Sequence, residues 1–538
     1  MALPLEPTDD LANPAFRDAA SCTKWLSQLQ LTNLGLAQGT LRKQLDELNR
    51  CPLRGRDRLQ TLETLRETVA MVQADFAKKL IGKKLPLADE EFTLLIALTN
   101  LWQSMLTGYL RCLQAAETGD KQLAAEIPTL SQRSLLYSSL QLGEFLRAGC
   151  EPDGKSWQRF HSIYEHIESQ GVQQEHVADK YNRAGYAVSC RTLYAKTLLM
   201  HRARLLGLSR SQWHIADRWL DQWGDALSVE ARCSLSKDDA PPLAVDLAGT
   251  QALQAIQHAR PADSMRFLAM VPLSKLIRVK SILLQQGQSP QQVDLGNELS
   301  SKDCITLLNR LHGCWCEARP DSLADVPRTA ATVHLCIGLE QIYAQISRKP
   351  FKPVKDASKA NHDKQRQIET FGRVLDETGK HDLQELGFLP EEWLVEEDSM
   401  IRAQLLRKTT SGERLGLNQI ISVFAPNSTS HKLGVISTIS VTRSGQLYIV
   451  VQYLPGHPQA VIVSGKSENE NLQSGSAAAL LLPAMENLHI PASLVLPRDW
   501  FHAGRVVDIT PDHSKQSVTL GFSVEKGNDY ERVSFKPA

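Results

Sequence analysis

The spacing of apolar residues along the chain changes near residue 395. Upstream they recur at three- and four-residue steps. Leu62, Leu65, Val69, Val72, Phe76 and Leu80 form one such run, which predicts an amphipathic helix with one buried face. Gly82 and Pro86 follow in the order of a helix stop. Asp89 is placed to cap the next helix, with Phe92, Ile96, Trp102, Met105, Tyr109 and Leu113 along its buried side. The same period predicts helices over 131–148, 157–168, 186–206, 210–224, 265–285 and 301–316, and a last one over 332–347. The stretch Pro241-Pro242-Leu243-Ala244-Val245-Asp246-Leu247 interrupts this pattern as an extended insert. Connections are short, which favours antiparallel neighbours. No fixed repeat period holds, so a stack of helix pairs would have to be a divergent solenoid.

Downstream the pattern turns β-branched and aromatic, in 420–424, 433–441 and 447–453. Turn signals separate the runs at Pro426-Asn427, Ser444-Gly445, Pro455-Gly456 and Lys526-Gly527-Asn528-Asp529. Roughly seven or more short strands in about 140 residues fit a small closed antiparallel barrel, which leaves no open edge. The expected fold is therefore multidomain, α then β. A flexible N-terminus (1–20) precedes an all-α helical array (21–347), a linker with a connecting helix (348–395) and a C-terminal β-barrel (396–538).

Composition narrows the class. A chain of 538 residues exceeds one hydrophobic core, and 42% hydrophobic with 22% charged residues is globular composition. Sixty basic and sixty acidic side chains cancel, so no general attraction to nucleic acid is expected. Arg348, Lys349, Lys352, Lys355 and Lys359 make the linker locally basic. A solvated linker is the simpler reading of them, a phosphate- or partner-contacting arm the alternative. The first residues lack the charge and apolar core of a secretory signal, and no apolar stretch approaches the ~20 residues of a membrane span. Ten cysteines lie between Cys22 and Cys336 and none in the β-rich tail, a distribution expected of reduced thiols in a cytoplasmic protein.

Candidate chemistry is sparse. His312, Cys314 and Cys316 are the densest metal-like group, with Cys304 and Cys336 as further thiols. Positions i, i+2 and i+4 do not all share one helical face, and structural zinc sites use Cys pairs of wider spacing with a second pair elsewhere, so buried thiols are expected and no metal. His161 and His166 read as surface or capping histidines. Trp213, Trp219 and Trp223 read as core packing and not as a stacking platform for bases. Glu396, Glu397 and Asp398 read as a solvated acidic turn. Phosphate-cradling loops, dinucleotide fingerprints, nucleophile elbows and zinc-protease motifs are all missing, and the chain is expected not to be an enzyme.

Residues 396–538 resemble the PilZ domain superfamily of bacterial cyclic di-GMP receptors, particularly atypical forms with a long helical N-terminal region. The likeness lies in Leu433-Gly434-Val435-Ile436 and in the run from Ser444 to Gly456. It continues in Ser493-Leu494-Val495-Leu496-Pro497, Gly504-Arg505-Val506-Val507 and the run from Tyr530 to Phe535, with helical counterparts at 193–199 and 242–247. PilZ domains hold the dinucleotide with an Arg-x-x-x-Arg segment before the barrel and an Asp/Asn-x-Ser-x-x-Gly turn. Arginine forks suit guanine O6 and N7 or the phosphates. The resemblance implies ligand-binding roles for Arg402, Arg407, Ser411, Gly412 and Arg414. Here the arginines are five apart and not four, and the turn lacks its leading acid or Asn. The expected function is a non-enzymatic bacterial signalling protein that receives cyclic di-GMP and needs no cofactor. A protein partner would be met through the helical array. The alternative is an interaction adaptor whose PilZ-like barrel no longer binds nucleotide.

Overall fold

The computed structural model describes residues 5–181, 185, 187–233, 240–317, 331–351, 389–426, 428–465, 475–510 and 515–538. It divides into two compact units, one of residues 1–83 and 87–326, the other of residues 84–86 and 327–538. The first unit is mostly helical: α1 (Ala19–Leu26), α2 (Leu34–Arg50), α3 (Gly55–Ala77), α4 (Asp89–Glu117), α5 (Ile127–Arg147) and α6 (Gly154–Ser169). A two-residue ladder of β1 (His176–Val177) and β2 (Val188–Ser189) precedes α7 (Cys190–Ala203) and α8 (Arg210–Gln222). Short strands β3 (Val229–Glu230), β4 (Leu243–Asp246), β5 (Gln254–Ala255) and β6 (Met265–Leu268) then form a sheet of order β3-β6-β4-β5. Helices α9 (Val271–Gln285) and α10 (Ser301–Trp315) complete the unit.

One continuous core runs through this unit from Phe16 to Cys316. Leu62, Leu65, Val69 and Val72 bury the predicted face of α3 against Leu101, Met105 and Tyr109 of α4. The N-cap of α4 is Ala88, not Asp89; Glu91 turns back to accept its N–H at 2.9 Å. Phe92 is 47% exposed, and the buried face of α4 starts at Leu95. Ahead of α1, Ala12 and Phe16 are buried, and Asp9 pairs with Arg50 at 2.5 Å. His161, expected as a surface or capping residue, is fully buried between the Tyr194 hydroxyl (2.6 Å) and the Gln251 carbonyl (2.8 Å). Trp219 and Trp223 are core residues, stacked at 5.5 Å. All ten cysteines are free thiols, and burial pushes Cys316 and Cys336 up to about 12. Among the described residues no helix is long and apolar enough to cross a membrane, and no group of three or more His, Cys, Asp or Glu side chains is arranged to hold a metal.

The second unit holds two closed antiparallel barrels of six strands each, where the sequence reading expected one. The first consists of β7 (Thr332–Ile337), β8 (Glu391–Asp398), β9 (Arg402–Arg407), β10 (Ile420–Phe424), β11 (Lys432–Val441) and β12 (Leu447–Tyr453). Its order is β10-β11-β12-β9-β8-β7, closed by β7 on β10. The predicted helix over 332–347 is thus strand β7 followed by α11 (Leu339–Ser347). The predicted boundary at 396 falls inside β8, and the acidic trio Glu396–Asp398 ends that strand instead of forming a turn. Most of the expected linker and its connecting helix, 352–388, lies outside the described residues. The second barrel comprises β13 (Gln459–Gly465), β14 (Gly475–Leu482), β15 (Ser493–Pro497), β16 (Val506–Thr510), β17 (Gln516–Lys526) and β18 (Tyr530–Pro537), in the order β13-β14-β15-β18-β17-β16.

Period-two alternation fills the second barrel: Val461 and Val463, Ala477 and Ala479, Leu494 and Leu496, Val507 and Ile509, Val518 and Leu520 all point inward. The opposite face of β14 and β15 is also buried. Leu480, Leu482 and Val495 join Leu339 and Ile342 of α11, and Ile420, Leu433 and Val435 of the first barrel, in one cluster. Both faces of β14 are covered, which is why 477–482 reads as a continuous apolar run without alternation. Gly434 fits where β11 meets β12 closely; a Cβ there would lie 2.4 Å from a Val451 methyl.

Candidate functional site

The five candidate residues do not gather in one place. Arg402 and Arg407 are an odd number of residues apart on β9, so they leave opposite faces of the strand. Arg402 is half-exposed and lies along Glu397, at 2.9 and 3.1 Å from its two carboxylate oxygens. Arg407 is buried, 1% exposed, over the Trp393 ring at 5.1 Å. Its Nε donates to Glu391 at 3.0 Å and its Nη2 to the Glu413 carbonyl at 2.6 Å. Nη1 is buried and has no acceptor among the described residues. Burial holds the Arg407 guanidinium below its ordinary range, with Glu391 working against that shift.

The loop after β9 returns to the same carboxylate. The Glu413 N–H donates to Glu391 Oε1 at 3.0 Å. Gly412 stands at φ +149°, where a Cβ would meet Glu391 at 2.8 Å and the Arg407 guanidinium carbon at 2.9 Å. Only glycine fits that corner without displacing the ion pair. Ser411 is exposed, its carbonyl accepting from the Thr409 hydroxyl at 2.7 Å. Arg414 donates to the carbonyls of Pro86 and Lys84, both at 2.8 Å, beside the reciprocal Leu85–Leu415 backbone pair. The structure therefore brings Arg407, Gly412 and the Glu413 backbone together on Glu391, with Ser411 adjacent. Arg414 is tied to 84–86, and Arg402 faces the other way.

A cleft of about 820 Å³ opens on that loop. Glu391 and Glu413 line it from the first barrel, Gly338 from the start of α11, and Arg498, Trp500 and Asp529 from the second barrel. Gly338 is the N-cap of α11 and supplies no side-chain cap. Asp529 accepts the Ile420 N–H through Oδ1 at 3.0 Å, while its Oδ2 is buried without a donor among the described residues. That burial raises the Asp529 carboxyl above the ordinary carboxylate range, with the Ile420 hydrogen bond opposing. The motif reading missed Arg498, Trp500 and Asp529. Their only sequence signal was the Lys526–Asp529 turn, which carries no hint of its neighbours in space.

A helical unit followed by a β-barrel pair is the architecture against which relatives can be compared. Residues 20–234 match the family model described as "Cyclic-di-GMP receptor FimW, N-terminal domain", and residues 466–538 match the "FimW C-terminal beta-barrel domain". The two matches occur in that order, one in the helical unit and one in the second barrel, and the chain is similar to this family in both places. The Cyclic-di-GMP receptor FimW of Pseudomonas aeruginosa is 24% identical over 368 residues, covering 66% of this chain and 58% of that protein's own length. No solved structure matches the chain.

Proposed function

We propose that this protein is a non-enzymatic receptor for cyclic di-GMP that acts in bacterial signalling. The observation that carries the reading is the pair of matches to FimW receptor domains, one in the helices and one in the second barrel. The ten free thiols support a place in the cytoplasm. The helical unit is the candidate surface for a protein partner.

Within this reading the first barrel is the PilZ-like part, and the stretch from Arg407 through Ser411 and Gly412 to Arg414 faces the ligand. The unused Arg407 Nη1 supports that choice, because guanine O6 and N7 or a phosphate oxygen would supply its missing acceptor. Arg402 neighbours this stretch only in sequence. Binding could shift the protein between two arrangements only through a difference in affinity for them.

Titration calorimetry with cyclic di-GMP tests the reading. Heat is expected from the wild type and from Arg402→Ala alike, and Arg407→Lys, which loses the fork but keeps the charge, should bind at least tenfold more weakly. Loss of binding in Arg402→Ala would move the site to the other face of β9. One observation favours an adaptor without ligand: Arg402 and Arg407 diverge and each is held by a glutamate. Silence from the wild type would leave that second reading standing and end the first.

A further inference from the structure

We propose that the cleft between the two barrels is the seat of the cyclic dinucleotide, with a guanine donor edge on Asp529 and a phosphate on Arg498 and the first turn of α11. This rests on the receptor reading above, and adds second-barrel residues to a site so far confined to the loop after β9.

The cleft has the size of a small-molecule site, and its walls carry two kinds of unfinished chemistry. Asp529 Oδ2 is an acceptor removed from water with no donor among the described residues, a costly state that a ligand N–H would relieve. Oδ1 is already fixed by the Ile420 N–H, so the carboxylate is oriented before any ligand arrives. Guanine offers N1–H and the N2 amino group side by side on its Watson–Crick edge, a donor pair matched to a carboxylate. Adenine offers an acceptor at N1, which would face Asp529 with like polarity.

The anionic part of the ligand has separate partners. Arg498 is exposed, held by a 3.3 Å bond to the Asn528 carbonyl and a 4.0 Å approach to Asp499. Gly338, Leu339, Glu340 and Gln341 open α11 onto the cleft, and Gly338 has no side chain to cap the free N–H groups there. Glu340 and Glu413 add negative charge to the lining, and Arg407 offsets Glu391. Such a lining disfavours a bare phosphate and selects a ligand that brings N–H donors along with its phosphates.

The experiment is calorimetric titration of the full chain with cyclic di-GMP, cyclic di-AMP and inorganic phosphate, using wild type, Asp529→Asn and Arg498→Ala. The carboxamide of Asp529→Asn retains the acceptor for Ile420 but turns an amino group toward the ligand. Arg498 is exposed, so both variants should fold, as thermal melts can verify. At least tenfold weaker cyclic di-GMP binding is expected in each variant, with little or no heat from cyclic di-AMP or phosphate. Wild-type affinity in both variants would overturn the cleft while leaving the receptor reading intact. Equal affinity for the adenine and guanine dinucleotides would overturn the role of Asp529. No binding by the wild type would take down cleft and receptor together.

Discussion

Arg407 has five N–H donors and, in its buried position, too few acceptors for them among the described residues. Glu391 and the Glu413 carbonyl fix its plane, and Gly412 leaves the space in which they do so. Gly412→Ala would drive a methyl into the Glu391 carboxylate at a positive φ, and is expected to cost about 1–3 kcal/mol in a denaturant titration. Asp529 gives a test by pH. Its native pKa is raised, so the folded protein binds this proton more tightly than the unfolded chain. The stabilising contribution is complete below the ordinary carboxylate pKa and is lost as pH rises through the native value. Asp529→Asn should therefore raise the melting temperature at pH 7, and the gain should shrink toward pH 4. Arg407 and Gly412 were legible because a short motif places them together in the chain. Asp529 was not, since more than a hundred residues separate it from Ile420, which orients it.

Among elements, α11 matters most to the β-rich unit. Ile342 sits in the cluster that takes in Cys336, Ile420 and Leu433 of one barrel and Leu480 and Val495 of the other. Ile342→Ala is expected to cost about 2–5 kcal/mol, and urea unfolding followed by far-UV circular dichroism should show both barrels destabilised together. The helices of the first unit were legible because long three-four patterns override local noise; α5, α6, α8 and α10 lie close to their expected limits, while α3 begins seven residues ahead of the run at Leu62. Strand β7 was not legible. Its six residues precede an amphipathic helix without a long gap, and the two merged into one helical reading. Gly338, at φ +80°, is the punctuation that divides them.

For the molecule as a whole, the change of pattern near residue 395 is a poor place to cut. Strand β7 closes the first barrel against β10, and β8 lies between β7 and β9. A fragment starting at 396 removes one of these strands and most of the other. It should be poorly folded and bind a hydrophobic dye. A fragment of 327–538 should give a cooperative melt. Side by side, dye binding and thermal melts of the two fragments decide the point. The α-then-β order was legible from periodicity; the number of barrels was not, because each strand looks alike until its partners are known.

The cluster around α11 has a mechanical consequence. Packed interiors resist continuous deformation, and this one ties the walls of the cleft to each other through the same side chains. The cleft is accordingly a socket and not a jaw. A molecule entering it would find its shape already cut, and what it leaves behind for a downstream reader is an altered surface: a masked carboxylate, a borrowed phosphate charge, a different outline at the rim.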